Sequence, residues 1–273
     1  MTATLINGEP GENISVHDRG FQYGDGLFET MAVVNGIPLL WGRHMQRLFH
    51  GAARLGIQAP PESLLRHEAE QLGRSVERAV LKIIFTRGVS GRGYAPDEQR
   101  QPTRTVSLSP WPDHPVGEHA HGVAAQFCRT MISRNQATAG IKHLNRIEQV
   151  LARAELEQDC REGLMCNEFG HVIEGTMTNL FIVRQDRLLT PDLSHSGVQG
   201  IMRGLVLERA VELSLETRVM DINKSDILQA DEVFLTNSLI GLWPVRRIEA
   251  KQYPLGRITQ RIQEAIVDAY AAD

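Results

Sequence analysis

Apolar and polar positions along this chain fall into short period-two runs that alternate with a few longer helical ones. "LINGEP" reads as a strand and a turn. "FETMAVVNGIPLLW" holds two apolar runs around Asn35-Gly36, the dipeptide that best favours a tight hairpin. In "RHMQRLFHGAARLGI" the apolar positions Met45, Leu48, Phe49, Ala52 and Leu55 recur at helical spacing, and Gly56 supplies a stop. "PPESLLRHEAEQLGRSV" predicts a second helix with proline at its start. "AVLKIIFTRG" and "TRTVSLSP" are β-branched enough to predict strands.

Residues 110 to 122, "PWPDHPVGEHAHG", break the periodicity and mark a boundary. Beyond them, "VAAQFCRTM" predicts a strand, and Leu144 to Glu157 a helix. "GLMCNEFGHVIEG" and "TNLFIVRQDRLLTP" each predict a hairpin. "IMRGLVLERAVEL" is a helix, "DEVFLTNS" and "LWPVRRI" are strands, and "ITQRIQEAIVDAY" is a closing helix. Strands and helices mix without regular βαβ alternation. The expected class is therefore α/β in the α+β sense, with two domains: residues 1–112, a linker over 113–121, and residues 122–273.

Composition narrows the function classes. The chain has 273 residues, 42% hydrophobic and 23% charged, with a formal net charge of −4. Neither a basic excess nor a Lys/Arg run points to nucleic acid. No apolar stretch is long enough to span a bilayer, and "MTATLINGEP" lacks the basic and apolar regions of a signal peptide. Three cysteines without CxxC spacing argue against a disulfide framework or structural zinc, so a cytoplasmic protein is expected. His114, His119 and His121 crowd the boundary, but a solvated linker explains them better than a metal, and no metal site is expected.

The remaining candidates are weak one at a time. Only four of the 29 basic residues are lysines, and Lys142 stands just before a predicted helix. Such a lysine is ordinarily solvated; an active-site lysine needs a pKa drawn from ~10.4 towards ~7–8 by burial or nearby cations. Ile141, Leu144, His143 and Arg146 are the neighbours that supply these. Glu174 precedes a glycine, as turn carboxylates do. Gly200 precedes a helix whose first-turn N–H groups, at Ile201 and Met202, suit a phosphate, although every helix has such an end. "TRGVSGRGY" is no P-loop, yet its Arg87 and Arg92 have the fork that grips a carboxylate.

Seven stretches in order, "RGFQYGDGLFET", "HMQRL", "TRGVSGRGY", "AGIKHLNRIEQVLAR", "EGTMTNLFIV", "GIMRG" and "FLTNSLIGLWPV", resemble the fold-type-IV pyridoxal-phosphate enzymes. This family takes in the branched-chain aminotransferases, the D-amino-acid aminotransferases and the aminodeoxychorismate lyases. The resemblance runs from about Leu5 to about Arg247. "SGRGY" and "AGIKHLNRIEQVLAR" are most similar to the lyase branch.

The resemblance implies two α/β domains with pyridoxal 5'-phosphate between them, and a homodimer acting on a small molecule. It implies that Lys142 carries the cofactor, that Glu174 bonds its pyridine nitrogen, and that Arg47, Ile201, Met202, Asn237 and Ser238 hold its phosphate. Arg92 and Tyr94 stand where an aminotransferase relative has an arginine and a histidine for a substrate carboxylate; Phe28 stands where it has a tyrosine. These two departures count against a D-amino-acid aminotransferase. The implied reaction is elimination of pyruvate from 4-amino-4-deoxychorismate to give 4-aminobenzoate, a folate precursor. The alternatives are an aminotransferase on the same scaffold and a catalytically silent cofactor-binding protein.

Overall fold

A computed structural model describes residues 3–74, 76–96, 101–112 and 117–271. It divides into two compact units, Met1–Asp113 with Ile141–Asn145, and His114–Gly140 with Arg146–Ala272.

The first unit is a six-stranded sheet backed by two helices. Its elements are β1 (Ala3–Ile6), β2 (Glu9–Pro10), α1 (Arg19–Tyr23), β3 (Gly26–Val34), β4 (Ile37–Pro38), α2 (Trp41–Leu55), α3 (Glu62–Gly73), β5 (Arg78–Thr86) and β6 (Thr103–Pro110). The order is β2-β1-β6-β5-β3-β4, and every neighbouring pair is antiparallel. The expected hairpin forms: Asn35 and Gly36 both take positive φ, 50° and 80°, which matches the twist of the flanking strands.

Alternation decides which face of this sheet is buried. Leu27, Met31 and Val33 of β3 and Ala79, Leu81, Ile83 and Phe85 of β5 pack against Trp41, Met45, Leu48 and Ala52 of α2. Glu29 falls in the same period-two series and is wholly buried. Ile141 joins this core from far along the chain.

The second unit holds α4 (Glu118–His121), β7 (Val123–Phe127), α5 (Ile147–Ala154), β8 (Glu162–Cys166), β9 (Val172–Gly175), β10 (Asn179–Arg184), β11 (Arg187–Pro191), α6 (Ile201–Glu212), β12 (Thr217–Met220), α7 (Lys224–Leu228), β13 (Glu232–Asn237), β14 (Gly241–Ile248), β15 (Lys251–Gln252) and α8 (Arg257–Ala271). The sheet runs β12-β11-β10-β13-β14-β7-β8-β9, with β15 paired to β14. It is mixed: β11–β12, β14–β7 and β7–β8 are parallel, the rest antiparallel. β8 and β9 are buried along their whole length, and β10 and β13 along all but their last residue, which is why they read as continuous apolar runs.

One expectation is corrected here. The helix expected over Leu144 to Glu157 occupies only Ile147–Ala154. Residues before it spend their backbone groups on β3: the Phe28 N–H donates to the Lys142 carbonyl (2.9 Å) and the Leu144 N–H to the Gly26 carbonyl (2.9 Å). Of the segment expected as a solvated linker, residues 113–116 lie outside the described residues. Glu118–His121 is a helical turn, and His119 Nδ1 lies 3.1 Å from the Leu242 carbonyl.

Candidate active site

Lys142 is positioned by strand pairing. Its carbonyl is held by β3, Ile141 before it is fully buried, and His143 forms an isolated antiparallel bridge with Leu27. The half-buried side chain carries its Nζ 4.4 Å from the centre of the Phe28 ring. Lys82 approaches the same ring at 5.3 Å. Phe28 is therefore a cation–π floor for two of the four lysines.

Arg47 lies on the face of α2 that meets β3. Its Nε donates to Glu29 Oε1 (2.8 Å) and its Nη2 to Glu29 Oε2 (2.6 Å). His44, one turn earlier, lies with Nδ1 2.6 Å from Glu29 Oε2. Burial by itself raises the Glu29 pKa, but the charge and hydrogen bonds of Arg47 and the contact from His44 bring it down to about 2. Burial lowers the His44 pKa; Glu29 pulls it up, and Arg47 and Lys142 push it down again. A neutral His44 donates from Nδ1 to Glu29, and its Nε2 has no hydrogen-bond partner among the described residues. Lys142, Arg47 and the buried Glu29–His44 pair thus share one electrostatic neighbourhood.

Arg92 and Tyr94 are both exposed, Tyr94 at 83%, on the loop after β5. The loop is tied to α1. Arg19, only 4% exposed, donates to the Gly93 carbonyl (3.0 Å), the Tyr94 carbonyl (2.9 Å) and Ser90 Oγ (3.3 Å). Arg87 points elsewhere: it grips Asp25 and the carbonyls of Leu55 and Gly56 at the end of α2. Burial raises the Asp25 pKa, but hydrogen bonds from Arg87 and Arg19 lower it more, and the net direction is down.

In the second unit Glu174 is buried on β9. Its Oε2 accepts from the Val198 N–H (2.9 Å) and lies 3.4 Å from Asn179 Nδ2. Asn179 Nδ2 also donates to the Val198 carbonyl (2.9 Å), and its Oδ1 closes against Gly200, where a Cβ would overlap it. One side chain thus links the Glu174 carboxylate to the residue that starts α6. Gly200 is the N-cap of α6 and brings no capping side chain. A helix start of this kind presents N–H groups and positive potential to an anion. Ile201 and Met202 form its first turn, followed by the buried Arg203. Burial lowers the pKa of Arg203, as it does that of Arg146; Glu174 pulls both back up. Two guanidiniums therefore feel this carboxylate.

Asn237 closes β13 with its own side chain. Its Oδ1 accepts from the Leu239 and Ile240 N–H groups (both 2.9 Å), and its Nδ2 donates to the Met177 carbonyl (3.2 Å). Ser238 is half-buried in that turn. The neighbouring turn is fixed from below by Glu162, fully buried, which accepts from the N–H groups of Thr176 and Met177 and from Thr178 Oγ1. Spacing alone did not reveal Asn179, Glu162, Glu29, His44 or Arg19. For Glu29 and His44 a signal existed: a carboxylate in a core alternation, and a histidine three residues before an arginine on a helix.

The family model described as "Amino-transferase class IV" matches residues 26–248. The chain belongs to the class IV aminotransferase family. Among class IV relatives, an aminodeoxychorismate lyase of Vibrio harveyi is 38% identical over 263 residues, 94% of this chain and 97% of its own. A D-alanine aminotransferase of Bacillus licheniformis is 27% identical over 279 residues, 98% of this chain and 97% of its own. Among solved class IV folds, the crystal structure of 4-amino-4-deoxychorismate lyase from Pseudomonas aeruginosa matches with a TM-score of 0.93. Its identity is 42%, with 97% of this chain and 98% of that one covered. The expected fold-type-IV architecture is therefore present.

Proposed function

We propose that this chain is an aminodeoxychorismate lyase that eliminates pyruvate from 4-amino-4-deoxychorismate to leave 4-aminobenzoate, with pyridoxal 5'-phosphate as cofactor. The observation that carries the reading is the near full-length match to two lyases at 38% and 42% identity, against 27% for the aminotransferase above.

The side chains fit the cofactor. Glu174 is a buried carboxylate held by two donors, suited to a protonated ring nitrogen. The start of α6, at Ile201 and Met202, suits a phosphate, and so does the Arg47 guanidinium. Asn237 and Ser238 shape the turn assigned to the same phosphate. Lys142 is the primary amine for covalent attachment, and its carbonyl is anchored to β3. When bound, pyridoxal phosphate supplies an electron sink for charge developing at the amine-bearing carbon.

In this reading Lys142 takes the proton from the amine-bearing ring carbon. The ether C–O bond breaks, the enolpyruvyl group leaves as pyruvate, and the ring electrons settle into the aromatic product. Lys142 returns the proton to the departing group. Phe28 fixes the approach of the amine, and holding it next to the reacting carbon supplies much of the rate. Arg92 and Tyr94 are assigned to a substrate carboxylate.

Three unpaired, buried cysteines support a reducing compartment, the cytoplasm. Among the described residues no helix is long and apolar enough to cross a membrane. An exposed apolar row on α5, Ile147, Val150 and Leu151, supports a homodimer, which light scattering checks directly.

The activity test mixes cofactor-loaded protein with 4-amino-4-deoxychorismate, adds no oxo acid, and follows both products. Equal catalytic release of pyruvate and 4-aminobenzoate is expected. Absence of both, with turnover appearing only when an amino donor and a 2-oxo acid are supplied, would replace the lyase with an aminotransferase.

A further inference from the structure

The loop 88–94 contains glycines at 88, 91 and 93, and Gly93 has φ 105°, so its backbone has little stiffness of its own. Its start is zipped to α1: the Arg19 N–H donates to the Gly88 carbonyl (2.9 Å), and Asp18 bridges Val89. Past Ser90, the loop backbone is held at 93 and 94 by the Arg19 fork and at 91 by Ser90, whose Oγ donates to the Gly91 carbonyl (3.1 Å). Nη1 reaches Ser90 Oγ and the Gly93 carbonyl, Nη2 reaches the Tyr94 carbonyl, and Nε turns back to Asp25 Oδ2 at 2.7 Å. The same guanidinium lies 5.0 Å from the Tyr23 ring, which meets the Tyr94 ring edge-on at 5.3 Å.

A cation this buried is costly unless every donor is satisfied. Here the loop carbonyls satisfy it only in one conformation, the one in which Gly93 and Tyr94 turn their oxygens inward. The charge of Arg19 is balanced by Asp25, and Asp25 is in turn locked by Arg87 to the end of α2. The loop therefore inherits the rigidity of α2 through a chain of charged hydrogen bonds.

We propose that Arg19 is a positioning residue for substrate recognition: it fixes the backbone at 93 and 94, and so the direction in which Arg92 and Tyr94 are presented to a substrate carboxylate. The inference rests on the assignment of Arg92 and Tyr94 to substrate made above. It adds a residue that touches neither substrate nor cofactor yet sets selectivity.

The test uses the cofactor-loaded enzyme and compares Arg19→Lys, Arg92→Ala and the double variant. Lysine keeps the charge beside Asp25 but cannot reach three acceptors in the directions of the fork. Arg19→Lys is expected to raise KM for 4-amino-4-deoxychorismate about tenfold, the worth of roughly one charged hydrogen bond. It should leave kcat and the absorbance of the bound cofactor near wild type. Backbone hydrogen exchange at 88–94 should accelerate, and Arg19→Lys should raise KM distinctly less on top of Arg92→Ala than it does alone, since only the presentation of Tyr94 is then left to disturb. Should Arg19→Lys fail to fold, Ser90→Ala removes one acceptor of the fork together with the Ser90–Gly91 hydrogen bond, leaves the contacts at 93 and 94, and must shift KM in the same direction by less. An unchanged KM in whichever of these variants folds, or effects of Arg19→Lys and Arg92→Ala that simply multiply, overturns the proposal. An Arg92→Ala enzyme with wild-type KM removes the substrate role of the loop itself, and the proposal with it; faster exchange in Arg19→Lys would then mark a purely structural clamp.

Discussion

Replacing Glu29 with glutamine tests the polar cluster behind Arg47. Glu29 stands on the core face of β3, opposite Ile83, at a position where alternation calls for an apolar side chain. It is tolerated there because Arg47 and His44 supply three contacts of 2.6 to 2.8 Å. Held at about 2 instead of its usual 4.5, the carboxyl contributes roughly 3 kcal/mol near neutral pH. Glutamine keeps the shape but loses the charge, and its amide N–H groups face donors. Arg47, 11% exposed, loses its charged contacts with this side chain. Breaking a buried pair from one side costs about 3–5 kcal/mol, in agreement with the pKa argument.

The assay is urea unfolding followed through Trp41, which is buried at the start of α2. At pH 7 the variant should be less stable by about 3 kcal/mol. The pH dependence gives a second reading. Glu29 has a lower pKa folded than unfolded, so its contribution is complete above the unfolded value near 4.5 and is lost as pH falls towards 2. Wild type should lose stability across that window, and Glu29→Gln should lose distinctly less. His44 is depressed as well, but its contribution fades at higher pH, as the solution falls through the ordinary histidine range near 6.5. Affinity for pyridoxal phosphate should weaken in parallel, because Arg47 loses its orientation. A variant within about 1 kcal/mol of wild type at pH 7, with an unchanged acid slope, would refute the reasoning.

Four further outcomes are expected. Lys142→Ala should abolish turnover and the absorbance of covalently held cofactor; normal turnover in that variant refutes its role. Glu174→Gln should lower kcat by at least tenfold, about 1.4 kcal/mol of transition-state stabilisation, while still folding; an unchanged rate removes the electronic role of the carboxylate. Gly200→Ala drives a methyl into Asn179 Oδ1, so it should lower both melting temperature and cofactor affinity, which thermal scans with and without cofactor will separate. Burial pushes the Cys128 thiol up to about 12, so iodoacetamide at pH 8 should label it only after unfolding, as mass spectrometry of the alkylated peptide will show.

Much of the architecture was legible because local chemistry and tertiary packing agree. Asn35-Gly36 makes its hairpin, and the apolar face of 43–57 is the face α2 buries. The start of the helix, residues 144–146, was misread for a physical reason. Ile141, Leu144, Ile147, Val150 and Leu151 are spaced as on a helix, and periodicity weighs only side chains. The backbone of 141–144 bonds to β3, more than a hundred residues earlier, and nothing in the local pattern records that. The short elements α1, α7, β12 and β15 escaped because two to five residues carry too little periodicity to read.

The same contrast explains which parts of the site could be read. Motif resemblance picks out groups assigned to touch a ligand: Lys142, Glu174, Arg47 and Arg92. Each lies on or beside a group that the spacing left unmarked. Lys142 hangs on the backbone of β3, Glu174 is bonded to Asn179, Arg47 is forked by Glu29, and the loop of Arg92 is held by Arg19. Arg19 draws on acceptors more than seventy residues away, a distance at which no spacing rule operates. Glu29 is the exception, since a lone carboxylate in a core alternation predicts its own partners: some cation must come to meet it. On that argument, buried charges at apolar register positions are the place to look in a sequence for the residues that hold an active site in shape.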